Sequence, residues 1–306
     1  MKKILFSITL IIPLILIGAI VYLLIRPCDY QAHFTVKTTP DIAFFSILNW
    51  DIWNRKKAAS SIQTISKNPV KNISQKILLN DTTLTFKWEF KQVNDSITMV
   101  RACVSDPERK LYNRLTVPFI NTPFKNSVRG NMLDIQRRLD LMLKTFHYEF
   151  TGFSHFHKIS CLYITLNGTR RSKAREMISN VVALNQFVRL NNLGLNGNPF
   201  VLVHDWNEMN DSINFDFCFP IARTDAVPDH PEIKFKTVEG MDAIKTDFYG
   251  NYSITDITWY NLAEEANKLG YRSKGKLVEV YHNDPHSGGN ELEWKAEIYL
   301  GIESVN

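Results

Sequence analysis

The 306-residue sequence lacks the short patterns by which most catalytic and cofactor sites are recognised. No G-x-S-x-G, H-E-x-x-H, Walker or G-x-G-x-x-G stretch occurs, so nucleophile-elbow hydrolysis, zinc-protease chemistry and nucleotide binding have no motif behind them. Cysteine is scarce. Cys28, Cys103, Cys161 and Cys218 stand far apart, with no C-x-x-C pair and no histidine at zinc-finger spacing, and neither a metal site nor a disulfide framework can be read from them. No metal and no cofactor is expected. Charge of one sign is not concentrated either: the formal +5 is spread along the chain, and its densest groups, Arg55-Lys56-Lys57 and Arg170-Arg171, sit in mixed surroundings. Nucleic acid is therefore not an expected partner.

Long uncharged runs are absent with one exception, residues 4–25, which follow Met1-Lys2-Lys3. At about 1.5 Å rise per residue such a run covers a hydrocarbon core of roughly 30 Å. A cleaved signal peptide would have a shorter apolar region ending in a small-x-small site, and a lipidated Cys28 would need small residues where Ile25-Arg26-Pro27 stand. The expectation is an uncleaved transmembrane signal anchor over residues 1–28. Lys2, Lys3 and the terminal amine outweigh Arg26, which puts the N-terminus in the cytoplasm, the domains outside it and the membrane among the partners.

What remains is α+β in character and divides in two. Over residues 29–150, an alternating strand at 30–37 leads to a helix opened by Pro40, and strand-like runs follow at 74–79, 82–90 and 97–104. Residues 127–146 then place Val128, Met132, Ile135, Leu139, Met142 and Phe146 on one helical stripe, fit to lie on an antiparallel sheet. The stretch KTTPDIAFFSILNWDIWNR, residues 37–55, with Trp50 and Trp53, resembles the opening of the SRPBCC (START-like, helix-grip) superfamily. That resemblance implies a curved sheet gripping the long helix around an apolar cavity.

Residues 151–306 repeat themselves. A strand at 155–166, a helix at 169–194 and the hairpin PFVLVHDWNEMNDSINFDFCFPI are followed by a strand at 233–249, a helix at 253–270 and KLVEVYHNDPHSGGNELEWKAEIYLGI. Two strand-helix-hairpin units imply a pseudo-two-fold domain, with two sheets and two helices facing one another across a central groove. The run ELEWKAEIYLGI alternates, with Leu292, Trp294, Ala296, Ile298 and Leu300 on one face and Glu293, Lys295, Glu297 and Tyr299 on the other.

Taken with Phe248-Tyr249-Gly250-Asn251-Tyr252, Trp259-Tyr260, Leu269-Gly270-Tyr271 and Glu279-Val280-Tyr281, this pattern resembles the GyrI-like family, the effector-binding domain of bacterial transcription activators. The resemblance implies a ligand site made by Glu297, Trp294, Tyr281, Phe248 and Trp259, in which a buried carboxylate in an aromatic cage attracts apolar or cationic compounds. A DNA-binding helix-turn-helix is missing, and Gly301 stands where the family often has proline. His155 and His157 share a strand face without a third ligand, and His282, Asp284 and His286 read as turn residues.

Three functions compete at this level. The first is a membrane-anchored protein that binds a small-molecule ligand in the groove. The second is a hydrolase of reactive small electrophiles, with Glu297 as general base and Tyr281 as hydrogen-bond donor. The third is a protein-interaction scaffold at the membrane.

Overall fold

A computed structural model of the protein describes residues 18, 21–23, 25–49, 62–79, 81–94, 96–207, 211–222 and 227–304. Among them no helix is long and apolar enough to cross a membrane. The run at 4–25 lies mostly outside the described residues, and its described remnant is too short to bridge a hydrocarbon core. On that finding the transmembrane helix is corrected, and with it the membrane-anchored function, the membrane as partner and the single-pass localisation. Trp50, Trp53 and the Arg55-Lys56-Lys57 group also lie outside the described residues.

The chain forms two compact units, Met1–Leu141 and Met142–Asn306. The first holds a five-stranded antiparallel sheet in the order β1-β5-β4-β3-β2, built from β1 (Tyr30–Val36), β2 (Ile62–Asn68), β3 (Asn72–Leu79), β4 (Thr82–Asn94) and β5 (Ile97–Ser105). Strict alternation in β4 turns Leu84, Phe86, Trp88 and Phe90 inward. Helix α1 (Pro40–Leu48) starts at a proline, whose fixed φ suits the first helical position, and is buried nearly all round. Cys28 and Cys103 form a disulfide that ties the approach to β1 onto β5. Beside it the buried Asp29 carboxylate accepts from the Asp106 amide at 2.8 Å and from Nε of Arg114 at 3.0 Å, which pins the start of β1 to helix α2 (Lys110–Thr116).

Helix α3 (Pro123–Met142) buries the stripe Val128, Met132, Ile135 and Leu139 that the periodicity predicts, and Gln136 donates to the Thr35 carbonyl of β1 at 3.2 Å. It ends earlier than the stripe suggests. Thr145 turns back onto the Met142 carbonyl, and Phe146 opens a strand instead.

The second unit is one continuous eight-stranded antiparallel sheet in the order β10-β7-β9-β8-β12-β13-β11-β6. Its strands are β6 (Phe146–Phe156), β7 (Ile159–Thr169), β8 (Phe200–Asn207), β9 (Ser212–Pro220), β10 (Lys234–Val238), β11 (Met241–Gly250), β12 (Tyr271–Tyr281) and β13 (Lys295–Ser304). Helix α4 (Lys173–Leu190) belongs to the first repeat and α5 (Ile257–Lys268) to the second. The strand order reads the same outward from its centre: β8, β9, β7 on one side and β12, β13, β11 on the other. This is the expected duplication, except that pairing of β8 with β12 from Leu277↔Val203 to Val280↔Phe200 fuses the two expected sheets into one.

The single strand predicted over 233–249 is two, because the chain turns at Gly240. Gly250 closes β11 with φ +152°, and a Cβ there would lie 2.7 Å from Cβ of Phe146, inside the Phe146–Phe248 ring stack.

Candidate functional site

Strand register decides which face of the second sheet each side chain takes. Glu279 pairs with Val201 of β8 and Ile298 of β13, so Leu277, Glu279 and Tyr281 share a face with Val201, Val203, Ala296, Ile298 and Leu300. This is the face that α4 and α5 cover, and among its described buried strand residues the one hydroxyl-bearing aliphatic is Thr246 and the one acid is Glu279, which has no exposed surface. Its Oε1 accepts from the indole nitrogen of Trp259 at 2.7 Å. Its Oε2 accepts from Nζ of Lys173, on the first turn of α4, and from the hydroxyl of Tyr281. Lys173 is equally buried; its Nζ also donates to Oγ1 of Thr255 at 2.8 Å and lies 5.0 Å from the centre of the Trp259 ring. Burial, then the charge and hydrogen bond of Glu279, push the Tyr281 phenol well above its ordinary pKa, so it stays a donor.

A second buried cation stands three residues earlier. The Arg170 guanidinium packs 5.5 Å from the Trp206 ring centre and 5.4 Å from that of Tyr260, with Asp211 and Asp256 as its acids. Burial raises the Asp256 pKa, the charges of Arg170 and Lys173 draw it back, and the balance leaves it at about 6. From the Glu279 cluster a row of rings runs outward. Tyr281 lies 4.8 Å from Tyr252, and Tyr252 lies 5.9 Å from the half-buried Trp294. The Tyr281 hydroxyl also faces Sδ of the half-buried Met177 at 3.8 Å.

The structure brings only some of the sequence-predicted residues together. Trp259 and Tyr281 meet at Glu279, and Trp294 ends the ring row. Phe248 is buried on the same face, stacked on Phe146. Glu297 is elsewhere: it pairs with Val280, whose side chain points away from Glu279 and Tyr281, so Glu297 and Tyr281 lie on opposite faces of the sheet.

On that far face, half-buried, Glu297 accepts from Lys245 at 3.1 Å, Lys295 at 3.2 Å and the Tyr299 hydroxyl at 2.9 Å, with Nε2 of His282 at 3.3 Å. Burial pushes its pKa up from 4.5, but these donors outweigh it and hold it at about 2. Asp216, bonded to His204, Lys236 and Thr165, is likewise held at about 2 against the effect of burial. A depressed carboxylate pKa adds stability that is fully present above the ordinary value and is lost as pH falls through the folded one. Glu297→Gln is therefore expected to cost about 1.5 kcal/mol near pH 7, the low end for hydrogen bonds to a charged group. That cost should shrink steadily between about pH 5 and 2. Urea unfolding of both proteins across that range measures it, and a pH-independent difference would contradict the assignment.

Sequence reasoning passed over Lys173, Arg170 and Glu279 as site residues, although one signal pointed to the lysine and another to the acid. Lys173, Met177, Val181, Leu184 and Val188 form one helical stripe, which puts the lysine at the head of the buried face. Glu279 sits in KLVEVY, a strand with apolar residues on both faces, where an acid is out of place unless partnered. The helix-start signal misplaced the turn as well. α4 begins at Lys173, beyond a local exchange in which the Thr169 amide donates to Oγ of Ser172 and the Ser172 amide to Oγ1 of Thr169. That turn aims Arg170 inward.

Residues 161–303 match the family model of the GyrI-like small molecule binding domain. No curated protein matches the chain. Among solved structures, the chain is similar to the EcmrR C-terminal domain, at 17% identity over 52% of this chain and 99% of that one, with a TM-score of 0.45. It is similar also to a hydrolase from Listeria innocua, at 11% identity over 50% and 92% with a TM-score of 0.36. A third is SAV2435 bound to tetraphenylphosphonium, at 10% identity over 51% and 94% with a TM-score of 0.33.

Proposed function

We propose, from the match of residues 161–303 to the GyrI-like small molecule binding domain, that the C-terminal unit binds a small molecule on the helix-covered face of its sheet. The observation that carries this reading is the buried Glu279 carboxylate, bonded to Trp259, Tyr281 and Lys173 at the inner end of a row of aromatic rings. A fold builds such a polar cluster into an apolar face at a cost, and ligand sites are where apolar walls carry a few placed polar groups. A ligand entering beside Trp294 and Met177 would meet ring faces and a thioether first, and the Glu279 cluster at the far end.

The contact of the Tyr281 hydroxyl with Glu279 supports a second reading, hydrolysis of a small electrophile. In it Glu279, rather than Glu297, would take a proton from water and Tyr281 would donate to the developing oxyanion.

The two readings part on Glu279→Gln. For a binder, ligands from an apolar small-molecule screen that raise the unfolding temperature of the native chain should lose that shift in the variant, where Lys173 is left as a buried cation without its counter-charge at the inner end of the site. For a hydrolase, turnover should fall by roughly 10²-fold or more at unchanged KM, and Tyr281→Phe should act in the same direction. Ligands that stabilise both proteins alike would move the site away from Glu279.

A further inference from the structure

We propose that this site selects uncharged apolar ligands and turns cations away, because Lys173 already holds the place beside Glu279 that a cationic ligand would take; this rests on the small-molecule reading above. A bare carboxylate among aromatic rings draws in a cation by charge and by the ring faces. Here the carboxylate has its cation, and it is part of the chain. Nζ of Lys173 bonds Oε2 of Glu279 and Oγ1 of Thr255 and lies over Trp259, with no exposed surface.

A ligand cation at the same oxygen would confront a like charge at contact distance. To displace it, α4 would have to strand a buried ammonium among apolar groups, the most unfavourable arrangement for an ion. The neighbouring cage is filled in the same manner: Arg170 stands against Trp206 and Tyr260 with Asp211 and Asp256 around it. Arg170 and Lys173 both come from the entry turn of α4, so one short stretch supplies a cation to both ring-and-acid cages on this face. An uncharged guest faces a closed ion pair, the rings of Tyr281, Tyr252 and Trp294 and the Met177 thioether, and binds without disturbing any charge.

The test uses two probes of similar bulk, the cation tetraphenylphosphonium and the neutral triphenylphosphine oxide, with the full chain and its Lys173→Met variant at pH 8. Native protein is expected to bind the oxide at least about tenfold more tightly than the phosphonium, and Lys173→Met to reverse that order by opening the Glu279 carboxylate. Thermal unfolding gives a second readout for a variant that folds poorly. Phosphonium should raise the melting temperature of Lys173→Met, or restore its folding, and leave the native protein unmoved. The double variant Lys173→Met/Glu279→Gln, with neither charge, should keep the native preference for the oxide. A native protein that prefers the phosphonium overturns the proposal, as does a selectivity unchanged by Lys173→Met. If neither probe binds native protein or variant, the small-molecule reading fails at this site, and the selectivity proposal fails with it.

Discussion

Replacing Lys173 by methionine is expected to destabilise the C-terminal unit by about 3–5 kcal/mol, the range for removing one partner from a buried ion pair. The side chains are close in length, so the loss is electrostatic rather than steric. Glu279 would keep the Trp259 and Tyr281 hydrogen bonds but lose its only cationic partner among the described residues, with no solvent to replace it. Adding Glu279→Gln to Lys173→Met should recover most of the deficit, since the glutamine can still accept from Trp259 without a charge to bury. Hydrogen exchange in β12 under increasing urea reads the unit containing the pair. A Lys173→Met protein within about 1 kcal/mol of native would mean that the pair is solvated in solution, and that the site's neutrality is not built as described.

Breaking the disulfide should cost the N-terminal unit nearly as much. Cys28 and Cys103 are 75 residues apart in sequence, and closing a loop of that length removes enough freedom from the unfolded chain to stabilise the fold by roughly 4 kcal/mol on the chain-entropy account. The Asp29–Arg114 pair and the Asp29–Asp106 contact lie beside the bridge and depend on the same placement of the chain entering β1. Cys103→Ser, or reduction of the native protein, should therefore speed amide exchange in β1 and β5 first and leave β8 and β12 unchanged. Equal protection of β1 in oxidised and reduced protein would show that the surrounding hydrogen bonds hold the strand without the covalent tie.

The fold was legible wherever periodicity is local. The alternation of Leu84, Phe86, Trp88 and Phe90 announces β4, the spacing of Val128, Met132, Ile135 and Leu139 announces α3, and the repeat of strand, helix and hairpin gives the duplicated unit. Where the sequence misleads, a local turn intervenes, as at Gly240, Thr145 and Thr169–Ser172, or a contact distant along the chain is responsible. The pairing of β8 with β12 joins residues more than 70 positions apart, so no window of sequence shows that the two sheets are one.

The site divides along the same line. Trp259, Tyr281 and Trp294 were visible as aromatics on patterned elements, but the acid among them could not be chosen by pattern. Glu297 sits on an alternating strand and Glu279 on one that is apolar on both faces, and only the register says which of them faces the helices. Cys28 and Cys103 show the same limit, because two cysteines separated by 75 residues carry no pairing signal until β1 is seen beside β5.

The seam between β8 and β12 also explains why the two repeats need to be on one chain. In each repeat alone the strand at the seam would become an open edge. For the first that edge is Phe200, Val201, Leu202 and Val203, four consecutive side chains with almost no exposure in the intact unit. Over these four residues such an edge is apolar on both faces, and the charge and proline with which natural sheets discourage edge-to-edge association, Asp205 and Pro199, stand only at its ends. Covalent duplication supplies each seam strand with a partner at an effective concentration that no second molecule reaches, so the sheet closes on itself before it can polymerise.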